Sequence, residues 1–163
     1  TVHAGLTTGD YYALKVVDSR SGAGLKLLTS GGIDPNCHFW GETGKQQRFR
    51  GKSYRYPRIV DAAYGRALSK RLRRSARPKI IVANLTQRLE CFLDRAGEFQ
   101  AATATQTIFH CRDDVVALEQ LCALLHSDYG HSFFQAVLGH NAMHSNISVE
   151  KAFLENFPLP SIA

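Results

Sequence analysis

Thirteen of the chain's basic residues fall between Lys45 and Lys79, and Asp61 is the only acid among them. They are Lys45, Arg48, Arg50, Lys52, Arg55, Arg58, Arg66, Lys70, Arg71, Arg73, Arg74, Arg77 and Lys79. The stretch carries +12 and the rest of the chain −6, so the overall +6 conceals a sharp segregation. Ion pairs within a helix need acids at three- or four-residue spacing, and none are available here. A focused charge of this size points to a polyanion.

Aromatic residues are interleaved: Phe49, Tyr54 and Tyr56 sit among Lys45, Arg48, Arg50, Lys52 and Arg55. Lysine and arginine neutralise phosphates, arginine also reads guanine edges bidentately, and tyrosine contacts sugar, phosphate or an unstacked base. The candidate phosphate contacts are Lys45, Arg48, Lys52, Lys70, Arg71, Arg73 and Arg74. The candidate base readers are Arg50, Tyr54 and Arg55, with Gln46 and Gln47 secondary because an amide reads adenine. The pattern leaves DNA and RNA both open.

A length of 163 residues predicts one domain, and 44% hydrophobic with 21% charged residues is enough for a packed core. No run approaches the roughly 18–20 apolar residues that cross a bilayer. Thr1–Asp10 is polar and Gly-containing, without the apolar centre of a signal peptide. Cys37, Cys91, Cys111 and Cys122 show no CxxC spacing, and Cys91 and Cys122 lie in apolar runs where a reduced cysteine serves as a small hydrophobe. A disulfide framework is not expected, and a cytoplasmic setting is. The start at Thr1, without methionine, predicts a piece of a longer protein.

The predicted fold is α+β: a twisted, mostly antiparallel sheet flanked by helices, with a helical C-terminal segment. Tyr11–Asp18, Leu25–Ser30, Lys79–Ala83 and Thr107–Cys111 read as strands. Arg88–Leu93 and Phe99–Thr103 read as a hairpin through Asp94-Arg95-Ala96-Gly97. Residues Asn36–Tyr56 lack a clear period and read as loop with short strands. Ile59–Arg74 has helical spacing, and Pro78 ends it. Asp113 or Asp114 can cap a helix over Val115–Ser127 with Leu118, Leu121, Cys122 and Leu125 as its apolar stripe. Further helical pieces are expected at Ser132–Leu138 and Val149–Glu155.

Catalytic constellations are not evident. Gly41-Glu42-Thr43-Gly44-Lys45 is half of a phosphate loop, lacking the first glycine and carrying Gln46 where Ser or Thr would hold magnesium. His140 and His144 are spaced for one helix face, but no third ligand is obvious. Cys37-His38 are adjacent, which rarely makes a nucleophile–base pair. No metal and no cofactor is expected in this chain.

Several separated segments, in order, resemble one family. They are Gly5-Leu6-Thr7-Thr8-Gly9-Asp10, then Leu28-Thr29-Ser30-Gly31-Gly32-Ile33-Asp34-Pro35, then Pro78-Lys79-Ile80-Ile81-Val82-Ala83. Phe92-Leu93-Asp94 through Gly97, Leu121-Cys122-Ala123-Leu124-Leu125-His126-Ser127 and Phe157-Pro158-Leu159-Pro160 complete the set. The chain thereby resembles the Taq-like C-terminal specificity, or target-recognition, domain of adenine-N6 DNA methyltransferases and type IIG restriction-modification enzymes. His126-Ser127 stands where that family usually has Asn-Ser.

The family's catalytic Asn-Pro-Pro-Tyr and Gly-rich S-adenosylmethionine loop are missing, as is a nuclease motif. The resemblance therefore implies a DNA-reading domain without enzyme activity of its own, its partners being double-stranded DNA and the catalytic domain of a parent methyltransferase. S-adenosylmethionine would belong to that parent enzyme, which would methylate adenine and could also cleave DNA. The glycines at 31–32 and 41–51 would let loops approach a duplex closely. Alternative readings are an RNA-binding or ribonucleoprotein assembly module, or a scaffold docking an acidic protein. Half of a type I specificity subunit is disfavoured because no long coiled-coil helices are visible.

Overall fold

The apolar run after Pro78 forms a strand at Lys79–Ala83, with the predicted boundaries and all five residues buried. Its side chains alternate between two apolar clusters, Ile80 and Val82 on one face and Ile81 and Ala83 on the other. A strand buried on both faces needs a layer on each side, and the rest of the chain supplies them.

The computed structural model describes residues 1–139 and 147–159. The chain runs β1 (Val2–Ala4), α1 (Thr8–Ala13), β2 (Val16–Asp18) and β3 (Lys26–Leu28), then a 3-10 turn at Ser30–Gly32. There follow β4 (Ile33–Asp34), β5 (Cys37–His38), β6 (Gln47–Phe49), β7 (Lys52–Tyr54), β8 (Pro57–Ile59) and α2 (Arg66–Ser75). Next come β9 (Lys79–Ala83), β10 (Leu85–Thr86), β11 (Cys91–Asp94), β12 (Phe99–Ala101) and β13 (Thr105–Ile108). The last elements are α3 (Val115–His126), α4 (Asp128–Leu138), β14 (Ile147–Ser148) and α5 (Lys151–Glu155).

The fold is α+β, with two four-stranded sheets rather than one. The first, ordered β1-β13-β9-β11, is antiparallel throughout. The second is ordered β12-β3-β8-β2, with β12 and β3 parallel and the other pairs antiparallel. Leu28, Phe99 and Ala101 of the second sheet share a cluster with Ile81 and Ala83 of the first. On the far side of the first sheet, Ile80, Val82, Cys91 and Leu93 pack with Leu118, Cys122, Leu125, Phe134 and Phe153 of α3, α4 and α5. On the far side of the second, Leu27 and Ile59 pack with Leu14, Phe49, Leu68 and Leu72. The order of layers is helices, sheet, sheet, then α2 with the β6–β7 ribbon.

The structure corrects three expectations. Tyr11–Asp18 is not one strand, because Thr7 and Asp10 form a reciprocal capping box that starts α1, leaving Val16–Asp18 as the strand. The helix expected over Ile59–Arg74 begins at Arg66 with Gly65 as its cap, since Val60 is held extended by its N–H to the Lys15 carbonyl. The expected hairpin between Arg88–Leu93 and Phe99–Thr103 does not form. The turn is present, with Gly97 at φ +68°, where a Cβ would collide with the Ala76 carbonyl. Its two strands, β11 and β12, enter different sheets.

Asp114 caps α3 through the Ala117 N–H, and Leu118, Cys122 and Leu125 of the expected stripe are buried, with Leu121 partly so. His140, His144 and Pro160 lie outside the described residues. Among the described residues no helix is long and apolar enough to cross a membrane.

Candidate nucleic-acid interface

The basic segment is divided between a β-ribbon and a helix. In the ribbon, Arg50 and Gly51 join β6 to β7 with φ of +52° and +75°, positive at both central positions as a type I′ turn requires. Register puts Gln47 opposite Tyr54 and Phe49 opposite Lys52, with Arg48 and Ser53 paired on the other face. Phe49 is buried edge-on against Tyr11, with ring centroids 4.7 Å apart, and Tyr54 packs beside the same cluster. The Tyr11 hydroxyl accepts from the Arg50 N–H at 2.8 Å, and Arg50 Nη1 donates to the Leu14 carbonyl at 3.0 Å. The ribbon is thus anchored by alternate residues while Arg48 and Lys52 remain exposed.

Clefts lie on both sides of the ribbon. Gln46 and Arg48 line one of about 450 Å³ together with Thr29, Gly31 and Thr103. Lys15, Arg50, Lys52 and Tyr54 line another of about 460 Å³.

Helix α2 buries Leu68 and Ser75 and exposes Arg66, Lys70 and Arg73. Spacings of four and three residues place those cations on one helix face. Leu68 packs into the same cluster that anchors Phe49, so the ribbon and helix share one foundation.

Several candidates are engaged within the protein. Gln47 is 2% exposed, and its Oε1 accepts from the Thr29 N–H at 2.8 Å. It is therefore a packing residue and is withdrawn as a base reader. Arg71 is also spoken for: its Nε lies 2.7 Å from Asp10 Oδ2, and its Nη1 donates to the Gly5 carbonyl at 3.2 Å. Burial raises the Asp10 carboxyl, but hydrogen bonds from Thr7 and the charge of Arg71 outweigh it and leave the group below its ordinary value.

Arg74 is half-buried with its guanidinium 5.7 Å from the centre of the Phe109 ring. Burial, with the charges of Arg71 and Arg77, holds it below the usual arginine value. Arg55 donates to the Gly41 carbonyl and the Thr43 hydroxyl, at 3.3 and 2.8 Å, although it is exposed. Tyr54 is half-buried. Arg58 ties the Ser19, Arg20 and Gly24 carbonyls together.

Among the described residues, only Arg71, Arg77 and Lys79 of the segment lie within ion-pairing distance of a carboxylate. Arg77 forks onto Asp113 at 2.6 Å. Lys79 is fully buried against Asp94 and the Ser75 carbonyl, and burial lowers its affinity for a proton. Arg48, Lys52, Arg66, Lys70 and Arg73 are exposed without such a partner, and Lys45 is exposed with its ammonium 4.4 Å from the Phe39 ring centre. Arg66 was not among the candidates from sequence. Its position four residues before Lys70, on the same face of α2, is the signal that would have added it.

Phosphate-loop chemistry gains no support from the structure around Lys45, since the preceding residues form turns rather than the strand-to-helix junction that such a loop needs. No protein-family model matches the chain, and no curated protein matches it.

Proposed function

We propose that this chain is a sequence-specific duplex-DNA recognition domain that directs a separate adenine-N6 methyltransferase domain to its site. The observation carrying the reading is the set of exposed cations without carboxylate partners on the ribbon (Arg48, Lys52) and on one face of α2 (Arg66, Lys70, Arg73). Cations held on firm elements and left without internal acids suit phosphates. The helix contributes register on the backbone. The ribbon supplies reading groups, because a two-stranded ribbon fits the major groove and Arg48 and Gln46 offer guanine- and adenine-type contacts. Arg50 and Arg55, engaged with carbonyls of the protein, are shaping residues of the ribbon in this reading. S-adenosylmethionine and the flipped adenine belong to the separate catalytic domain.

Fluorescence anisotropy with a duplex pool and a structured RNA, at 50 and 200 mM salt, tests the proposal. About four phosphate contacts, from Lys52, Arg66, Lys70 and Arg73, predict a loss of about 150-fold in duplex affinity between those salts. Arg73→Ala and Lys70→Ala are each expected to lower the salt slope by about 1, equally for all sequences. Arg48→Ala is expected to relax preference at one position by about 1–3 kcal/mol. Tighter binding to the RNA would transfer the surface to an RNA-binding module. Binding unchanged by all three substitutions would remove it from nucleic acid altogether.

A further inference from the structure

On the opposite side of the first sheet, β11 and α3 bring two thiols and an imidazole together. Cys91 and Cys122 Sγ are 3.7 Å apart, and His126 Nε2 lies 3.2 Å from Cys91 Sγ. The three donor atoms all lie within 4.8 Å of one another. Cys122 and His126 are four residues apart on α3 and so share a face, while Cys91 comes from the strand beneath. Asn36 adds an oxygen, its Oδ1 3.7 Å from Cys122 Sγ. It is fixed there by its own N–H to the Cys91 carbonyl and by a left-handed backbone with φ +60°.

The sulfur–sulfur separation is that of a tetrahedral site, and the sulfur–nitrogen separation is shorter than one by about 0.4 Å. Zinc–sulfur bonds of about 2.3 Å at the tetrahedral angle place two sulfurs about 3.8 Å apart, and a sulfur and a ring nitrogen about 3.6 Å apart. We propose that Cys91, Cys122 and His126 form a zinc-class metal site, with Asn36 Oδ1 or water as the fourth ligand. Thiolate and imidazole donors select zinc-like ions over magnesium or calcium. Binding exchanges two S–H protons for two metal–sulfur bonds, so the dication is neutralised within the site and two protons leave to solvent.

Hydrogen bonding from Cys91, with His126 beside it, draws the Cys122 thiol below its ordinary value against the opposing effect of burial, while the same hydrogen bond and burial push Cys91 up. Access also exists, since Cys122 and Asn36 line a cleft of about 430 Å³ whose rim carries the Arg95–Glu119 ion pair. The site is independent of the basic surface and stands or falls separately from the DNA-reading proposal.

The test is a cobalt titration of the reduced, chelator-treated 163-residue chain. One equivalent should give thiolate-to-cobalt charge-transfer absorption and the intense visible bands of a tetrahedral ion, both bleached by zinc. Zinc should also raise the melting temperature. Because Cys91 is fully buried and its replacement can prevent folding, Cys122→Ser and His126→Ala are the informative variants. Each should keep the native circular dichroism and weaken cobalt binding by about tenfold or more. No charge-transfer band in the folded wild-type chain overturns the proposal, as does a band unaltered in both variants. A Cys91–Cys122 disulfide that survives reductant overturns it too, assigning the thiols to a covalent cross-link.

Discussion

Asp94 holds the corner where the chain passes from one sheet to the other. Its carboxylate accepts from buried Lys79 and from the Glu98 and Phe99 N–H groups, the latter two at 3.0 and 2.9 Å. Removing one partner of a buried pair leaves an uncompensated charge, which costs about 3–5 kcal/mol. Asp94→Ala is therefore expected to lose that much stability in urea unfolding. Lys79→Met added to it should restore part of the loss, because the stranded ammonium is gone. A double variant less stable than the single one would show that Lys79 contributes through packing rather than charge. This corner also changes the meaning of the +12 segment. Lys79, Arg71 and Arg77 are matched by Asp94, Asp10 and Asp113, which lie 15, 61 and 36 residues away in sequence. No local reading of charge detects partners at those separations.

At the scale of elements, local chemistry and tertiary choice separate cleanly. Strand β9 and the Asp114 cap of α3 were legible because both are set by neighbouring residues: Pro78 and an apolar run in one case, an N-cap side chain in the other. Asp114→Ala is expected to cost about 1 kcal/mol in thermal or urea unfolding, since the Ala117 N–H loses its acceptor. The turn through Gly97 was equally legible, but the destination of its second strand was not. β12 pairs with β3, more than seventy residues earlier, and that choice depends on Phe99 and Ala101 meeting Ile81 and Ala83 between the sheets. Helix α2 was placed too early because Val60 and Tyr64 continue the apolar spacing while serving other contacts. The Tyr64 hydroxyl donates to the Val60 carbonyl at 2.8 Å, closing a loop rather than a helical turn. The candidate metal ligands escaped notice for a related reason. Cys91 and Cys122 are thirty-one residues apart, and only the packing of α3 on β11 unites them.

At the scale of the molecule, the two sheets are bound by more than adjacency. The chain crosses between them at residues 95–98 and again at 102–104, and Ile81, Ala83, Leu28 and Phe99 bury their contact. A single cooperative transition is therefore expected in calorimetry, with van't Hoff and calorimetric enthalpies equal. Two resolved transitions would divide the chain into separately folding units.

The ribbon's alternation has a consequence for how such a surface changes over generations. Phe49 and Gln47 face inward and fix its position, while Arg48 and Ser53 pair on the outward face. Substitutions at 48 and 53 alter what the ribbon presents without disturbing how it is seated. Under the proposed function, a lineage can therefore explore new recognition chemistry at those two positions at little risk to folding, and a laboratory library can do the same by randomising them together.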